Sequence, residues 1–349
     1  MTSHISRLES PITVGIIGLG RAGWNLHFRP ISALSEYKIV AVADPLAERT
    51  KEASEITGCA QFSSIDELLA GSDAQLIVVA TPSSTHYEDV LKVLNAGRHC
   101  IAEKPLALKT KEADALVALA KEKGLGLFVH HVHVHREFLH HVKEVIASGK
   151  LGEVFTVRMM WGGYRRRWDW QTLKKNGGGQ LNNTCPHALS LVLPLLGGRV
   201  TEVFADLRNI KDSGDAEDHV HLVLRTDQGV TADVLVTTAI AADNSPWVIA
   251  GKYGTLTSDG YTKSHLKYYD PSKVDAPEIL DAAAPDRKYL SETLPWIEED
   301  IEISETPRVK PFHENVLDVL LRGAEPVITP ESAADVVRVS NLAEEAAVK

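Results

Sequence analysis

The chain has 349 residues, 44% of them hydrophobic and 24% charged, and its 37 Lys plus Arg against 47 Asp plus Glu leave a net charge of −10. Such a length points to two domains, each with a sizeable core, and the composition is that of a soluble globular protein. The acidic balance provides no basic face, so neither nucleic acid nor a membrane is an expected partner.

In chain order, the first 130 residues alternate short β-rich runs with helical patterns. Strands are expected over Ile12–Ile17, Lys38–Ala43, Gln75–Ala80, His99–Ala102 and Leu125–His130. Helices are expected over Gly23–Leu34, Ala47–Thr57, Ile65–Ala70, His86–Asn95 and Lys111–Lys123. Buried apolar strands alternating with helices describe an α/β unit with a doubly wound parallel sheet. A helix over Phe138–Ser148 and the turn SGKLGEV then change the texture. Strand patterns follow one another at Val154–Trp161, Val200–Leu207, Val220–Thr226, Thr231–Thr238 and Trp247–Ala250, which implies an α+β unit with a mainly antiparallel open sheet. The Pro- and charge-rich stretch from Asp270 to Lys310 reads as long loops, and helices over Phe312–Arg322 and Pro330–Ala347 close the chain. The domains are accordingly placed at 1–130 and 131–349.

The N-terminal MTSHISRLESP has no apolar h-region, and no apolar stretch is long enough to span a bilayer. Cys59, Cys100 and Cys185 form no CxxC pair, which fits a reducing compartment. A cytoplasmic protein without a disulfide framework or a metal site is expected.

Residues 14–23 read VGIIGLGRAG, a G-x-G-x-x-G that follows a strand and opens a helix. Gly18 permits a tight turn, Gly20 lets backbone approach a pyrophosphate, and Gly23 lets helix and strand pack closely. Leu19 and Arg21 complete this phosphate cradle of a Rossmann dinucleotide site. Asp44 ends the second strand 21 residues after Gly23, where a carboxylate accepts hydrogen bonds from the adenosine ribose. It would repel a 2′-phosphate, and no Arg follows directly, so NAD is expected in preference to NADP. Asp44 before Pro45 also fits a helix N-cap.

The next two strand ends, VVATPSSTH and HCIAEKP, belong at the same sheet edge. Thr81, Pro82, His86, Glu103 and Lys104 are thereby expected beside the cofactor. A lysine partly desolvated near a cationic nicotinamide ring has a lowered pKa, which suits proton transfer; a solvated Glu-Lys pair is the plain alternative.

AEKP after a GxGxxG unit, with ATPSSTH, SGKLGEV and a GGG-to-His segment, resembles the Gfo/Idh/MocA oxidoreductases, the glucose-fructose oxidoreductase and inositol dehydrogenase group. The likeness spans nearly the whole chain, to the final PFHENVLDVLLRGAEPVITPE. It implies a Rossmann domain followed by an open sheet that binds substrate and commonly forms subunit contacts, hence a homodimer or homotetramer. It also implies NAD(P)-linked oxidation or reduction of a carbohydrate or polyol hydroxyl, with the EKP lysine in the active site. A redox glycosidase working through a transient keto-sugar and a non-catalytic cofactor-sensing regulator share this frame and stay open.

In that family the glycine segment usually carries an Asp before the histidine. Here GGGQLNNTCPH places Asn183 at that position, keeps His187, and has Ser190 where a further Asp is usual. The glycines are expected to let backbone pass close to cofactor and substrate, with Pro186 and a helix over Ala188–Leu195 presenting His187. His187 is the candidate base, Lys104 polarises the alcohol oxygen or shares the proton, and Asn183 orients the imidazole. In LFVHHVHVHREF the family's Asn-Arg pattern is replaced by Val132 and His133. An extended chain would put His131, His133 and His135 on one face, a geometry that could hold a metal; His131 is a substrate candidate, and polar histidines near the site or surface are the plainer reading. In YRRRWDWQ, Arg166 or Arg167 is placed to grip an acidic sugar, Trp168 to stack on a pyranose and Trp170 to touch the nicotinamide, against the alternative of a solvated edge.

Overall fold

The protein is described by a computed structural model covering residues 5–211, 214–241, 247–277 and 292–347. Strands β1 (Ile12–Ile17), β2 (Tyr37–Ala43), β3 (Ala60–Phe62), β4 (Leu76–Val79), β5 (His99–Ala102) and β6 (Leu127–Val129) form one parallel sheet in the order β3-β2-β1-β4-β5-β6. All four residues of both β4 and β5 are buried, as required of a sheet covered by helices on both faces. The connecting segments are a π-helical stretch (Gly23–Phe28) running into α1 (Arg29–Ser32), then α2 (Ala47–Thr57), α3 (Ile65–Gly71), α4 (His86–Asn95) and α5 (Thr110–Lys123). The short edge strand β3, only three residues of which two are exposed, carries no sequence signal and is an addition to the expected strands.

The register of this sheet decides where the chemistry sits. Ile17 pairs with Ala43 and Val79, Val79 with Ala102, and Ala102 with Val129. The five strands therefore end in one row. The next residue of each, Asp44, Gly18, Ala80, Glu103 and His130, forms a second row at the carboxyl edge. Its main-chain hydrogen bonds continue the ladder: Gly18 to Ala43, Ala80 to Ile17, Glu103 to Val79 and His130 to Ala102. This is the edge at which open α/β sheets bind ligands.

After α6 (Glu137–Ala147), an eight-stranded sheet is built from β7 (Val154–Trp161), β8 (Val200–Arg208), β9 (His219–Thr226), β10 (Thr231–Thr237), β11 (Trp247–Gly251), β12 (Gly254–Ser258), β13 (Lys263–Tyr268) and β14 (Ile297–Glu302). Its order is β14-β13-β12-β11-β7-β10-β9-β8, antiparallel except where β7 and β10 run parallel. Between β7 and β8 lie α7 (Gln180–Asn183) and α8 (Cys185–Val192), whose buried apolar residues belong to the core shared with β7 and β10. Phe204 and Val223, cross-strand partners, are exposed on the sheet.

The expectation of long loops from Asp270 to Lys310 fails at β14. IEEDIE is too charged to read as a strand, yet it is an edge strand, and its acids pair with β13 lysines: Lys263 with Glu302, and Lys267 with Glu298. Residues 278–291 of that stretch lie outside the described residues. The chain then forms α9 (Phe312–Leu317), a π-helical turn (Asp318–Arg322) and α10 (Pro330–Ala346). The last helix returns to the first sheet: Asn341 accepts from Thr110 N–H at 2.7 Å and donates to the Leu108 carbonyl at 2.8 Å. The segment following Lys104 is thus clamped from both ends. Among the described residues no helix is long and apolar enough to cross a membrane.

Candidate active site

The loop after β1 has the form its glycines require. Gly18 has φ +82°, and a Cβ there would meet the Ala80 carbonyl oxygen at 2.6 Å. A Cβ on Gly23 would meet the Gly18 carbonyl at 1.8 Å, so helix and strand pack at a distance only glycine permits. In front of Gly20 there is open space within 4 Å, where a pyrophosphate fits against main chain. Asp44 is buried and accepts from Leu19 N–H at 2.7 Å and Leu46 N–H at 3.0 Å, so it braces the loop as well as facing it. Arg49, one helical turn further on, reaches Asp44 at 3.3 Å. No arginine follows Asp44 directly in sequence, but α2 folds Arg49 back beside it. Arg21 is exposed at the start of the π-helical stretch.

Three residues expected beside the cofactor have side chains hydrogen-bonded within the protein. His86 is buried, with Nδ1 2.6 Å from the Pro105 carbonyl and Nε2 2.9 Å from the Thr81 carbonyl. Both ring nitrogens are taken, and the side chain ties the two loops together. The Thr81 hydroxyl donates to Asp89 at 2.7 Å, and Thr85 donates to the same carboxylate oxygen, leaving Thr81 and Pro82 to act through main chain. Glu103 likewise points inward: its Oε1 accepts from His27 at 3.0 Å and from His130 at 2.8 Å. Burial alone would raise the Glu103 pKa, but His130 and His27 outweigh it and hold the carboxyl well below its ordinary value. It is an anion turned away from the cofactor edge.

Lys104, the next residue, turns the other way. Its Nζ donates to the Asn183 carbonyl at 2.6 Å and to Asn183 Oδ1 at 3.2 Å, joining the first sheet to α7 of the second domain. Burial pulls this ammonium below the ordinary lysine value; Glu103 opposes, while Arg21 and Arg167 reinforce. Asn183 therefore positions the lysine. It makes no hydrogen bond to His187, so the expected orientation of the imidazole by Asn183 is corrected.

His187 stands in the first turn of α8, which starts at Cys185 rather than Ala188 because Pro186 fits an N-terminal turn whose own N–H would be unpaired. Its ring packs edge-on to His133 at 4.7 Å between centroids, to His131 at 6.5 Å, and tilted to Trp161 at 6.0 Å. Aromatic packing, not a carboxylate, sets its orientation. Burial first, then Lys104, His133 and His131, hold His187 well below the usual imidazole range, so it is neutral. His131 is pushed down to about 3 and His133 to about 4, burial being the largest cause of each. Residues 132–135 form a 3₁₀ turn, so the extended ladder of His131, His133 and His135 does not exist. His135 faces elsewhere, with Nδ1 2.8 Å from the Lys310 carbonyl.

Two of the three glycines are required by the chain's own packing. A Cβ on Gly178 would meet the Gln171 carbonyl oxygen at 2.5 Å, and one on Gly179, at φ +99°, would meet the Glu217 carboxylate at 2.1 Å. That carboxylate accepts Leu181 N–H at 2.9 Å and so fixes the start of α7. Gln171 and Glu217 were not anticipated. Gln171 Nε2 donates to Asn183 Oδ1 at 3.3 Å, extending the network around Lys104.

The YRRRWDWQ arm rims this crevice. Arg167 pairs with Asp169 through Nε at 3.2 Å and lines a small cleft with Arg165, Gln171 and Asn183. Arg166 and Trp170 are exposed, and Trp168 is 89% exposed. A ring so free of neighbours is positioned by none of the described residues.

Two family models match this chain: the oxidoreductase family with an NAD-binding Rossmann fold over residues 12–131, and the GFO/IDH/MocA C-terminal domain over residues 139–257. A scyllo-inositol 2-dehydrogenase (NADP(+)) of Bacillus subtilis is 25% identical, covering 97% of this chain and 94% of its own. An NAD-binding protein from Listeria innocua has the same fold, with a TM-score of 0.80 at 24% identity over 97% and 98% of the two chains. So does the WlbA dehydrogenase from Bordetella pertussis, solved with NADH and UDP-GlcNAcA, with a TM-score of 0.75 at 24% identity over 96% of each chain.

Proposed function

The chain belongs to the GFO/IDH/MocA oxidoreductases, and we propose that it oxidises a secondary hydroxyl of a sugar, glycoside or inositol to the ketone, or runs the reverse reduction. The observation that carries this reading is the junction of Lys104 from the first sheet with Asn183 and, one turn further on, His187 from the second domain. The named functions of the inositol and UDP-sugar relatives support the substrate class.

Bound NAD supplies the hydride acceptor. The chain's own residues account for the rest. Main chain at Gly18, Gly20 and Gly23 holds the pyrophosphate, and Asp44 takes the ribose hydroxyls. Lys104, held by Asn183, donates a hydrogen bond to the substrate oxygen and stabilises it as its proton departs. Neutral His187 accepts that proton and, with its pKa depressed, passes it on readily. In the reduction direction the same two groups return it. Arg167 beside the cleft is suited to an acidic substituent.

Asp44 favours NAD over NADP, and the nearby Arg49 supports a second reading in which NADP is also accepted. We place the protein in a reducing cytoplasm, where its buried cysteines stay free, as a homodimer or homotetramer joined through the exposed face carrying Phe204 and Val223. The test is a panel of sugars, glycosides and inositols with each nicotinamide cofactor. Reduced cofactor accumulating with a keto product supports the dehydrogenase. Aglycone release without net reduction identifies a redox glycosidase, and binding without turnover across the panel identifies a sensor. Light scattering reads the subunit count.

A further inference from the structure

We infer that His27, His130 and His313 form a binding site for one divalent transition-metal ion of the zinc type, behind the catalytic crevice. The three come from remote parts of the chain: the π-helical stretch after β1, the residue following β6, and the first turn of α9. All are buried, and one ring nitrogen from each lies within 4.8 Å of the others. Their centroids are 4.4 Å (His27 to His130), 5.3 Å (His27 to His313) and 5.8 Å (His130 to His313) apart.

The hydrogen bonds settle which nitrogens remain. The Leu26 carbonyl, 2.9 Å from His313 Nε2, can only accept, so that nitrogen carries the proton and Nδ1 keeps a lone pair. Anionic Glu103 likewise accepts hydrogen bonds from His27 Nε2 and His130 Nδ1, so the ring nitrogens left open to a ligand are His27 Nδ1 and His130 Nε2. The Nδ1 atoms of His27 and His313 are buried and have no hydrogen-bond partner among the described residues. Each of the three imidazoles is pinned through one nitrogen by a carboxylate or a carbonyl, the support that orients histidines toward a metal. An all-imidazole set suits zinc, cobalt, nickel or copper and not calcium or magnesium.

His130 and His313 also line a cavity of about 670 Å³ between α1 and the segment leading into α9, which provides an entry path and room for a water as fourth ligand. Nitrogens on a tetrahedral zinc stand about 3.3 Å apart, so loading draws the rings inward by roughly 1 Å. The ion would join the π-helical stretch after β1, the end of β6 and α9 behind Glu103, on the side away from Lys104.

The test uses untagged, chelator-treated, full-length protein. It is dialysed against micromolar Zn²⁺ and, separately, titrated with Co²⁺ followed in the visible region. One equivalent per chain with intense tetrahedral Co²⁺ bands is expected, together with a Zn²⁺-dependent rise in Tm. His313→Gln and His27→Gln should each weaken binding by more than about 10-fold, and Glu103→Gln, which only orients ligands, by about 10-fold. His187→Gln and the surface double variant His221→Gln/His265→Gln should retain the metal. Wild-type protein that binds no stoichiometric ion overturns the inference, whether or not the core variants fold. So does binding that His313→Gln leaves unchanged, or that the His187 or surface variants abolish.

Discussion

Glu103 and Lys104 are consecutive residues that serve opposite sides of one sheet edge. On the Glu103 side, three histidines surround a carboxylate, and both His27 and His130 bond to the same oxygen. On the Lys104 side, three histidines and an ammonium gather with no carboxylate of the described residues hydrogen-bonded to their side chains; the ammonium's partners are the main-chain carbonyl and the neutral side-chain amide of Asn183. Burial lowers the imidazole pKa on both sides. What differs is the anion. Where one is present the rings are fixed and their protons assigned; where it is missing the lysine and His187 stay free to exchange a proton with a third party. The catalytic side is thus defined as much by the absence of a charge as by the groups it holds.

Removing the ammonium tests this contrast most severely. Lys104→Met should lower kcat/KM by about 10³-fold, while NADH affinity, read by fluorescence titration, stays within a few-fold. Equal loss of both would make Lys104 a cofactor ligand only. On the other side, Glu103→Gln should cost about 2 kcal/mol of stability in denaturant unfolding, since two charge-assisted hydrogen bonds weaken. The same change removes the group that raises the Lys104 pKa, so the kcat–pH profile should move to lower pH. A stability loss with an unmoved profile would sever the link between the two sides.

Acid should expose the buried rings of both sides together. His131 and His313 are held at about 3 and His99 at about 4, against 6.5 when unfolded. Below about pH 6.5 the unfolded chain binds protons the folded chain refuses, so stability falls as pH drops towards 3–4. The slope contributed is up to about 1.4 kcal/mol per pH unit for each such histidine. Urea midpoints measured from pH 7 to pH 4 should therefore decline, and flat midpoints would contradict the assigned burial. The mildest expected change is Asn183→Asp, which supplies the missing anion. It should raise the Lys104 pKa and shift the kcat–pH profile to the alkaline side, with little effect on stability. An unchanged profile would show that the charge at 183 does not matter.

The first half of the fold was readable because its functional residues lie just beyond strand ends. VGIIG, VAVAD and IAEKP announce both the strand and the residue it delivers, and the parallel register then aligns them. The mainly antiparallel sheet was readable through β11, but β14 hides in IEEDIE, where cross-strand lysines rather than apolar alternation hold it. Lys104 was found by its place after a strand, and Asn183 and His187 by the family resemblance of the glycine segment. The partner of Asn183 was not, because which of two polar groups it bonds is decided by how α7 docks. The glycines showed that backbone must pass close to something. That the something is Gln171 and Glu217 depends on contacts the local pattern does not encode. His27 and His313 are separated by most of the chain, and each alone is an ordinary buried histidine. Only folding makes them neighbours.

The central claim is that Lys104 and His187 flank the same substrate oxygen. A structure of the protein with NAD and a bound sugar or inositol tests it most directly. The account predicts one hydroxyl oxygen within about 3.2 Å of both Lys104 Nζ and a ring nitrogen of His187. A reacting hydroxyl that contacts only one of the two, with the other beyond the reach of a bridging water, would contradict it.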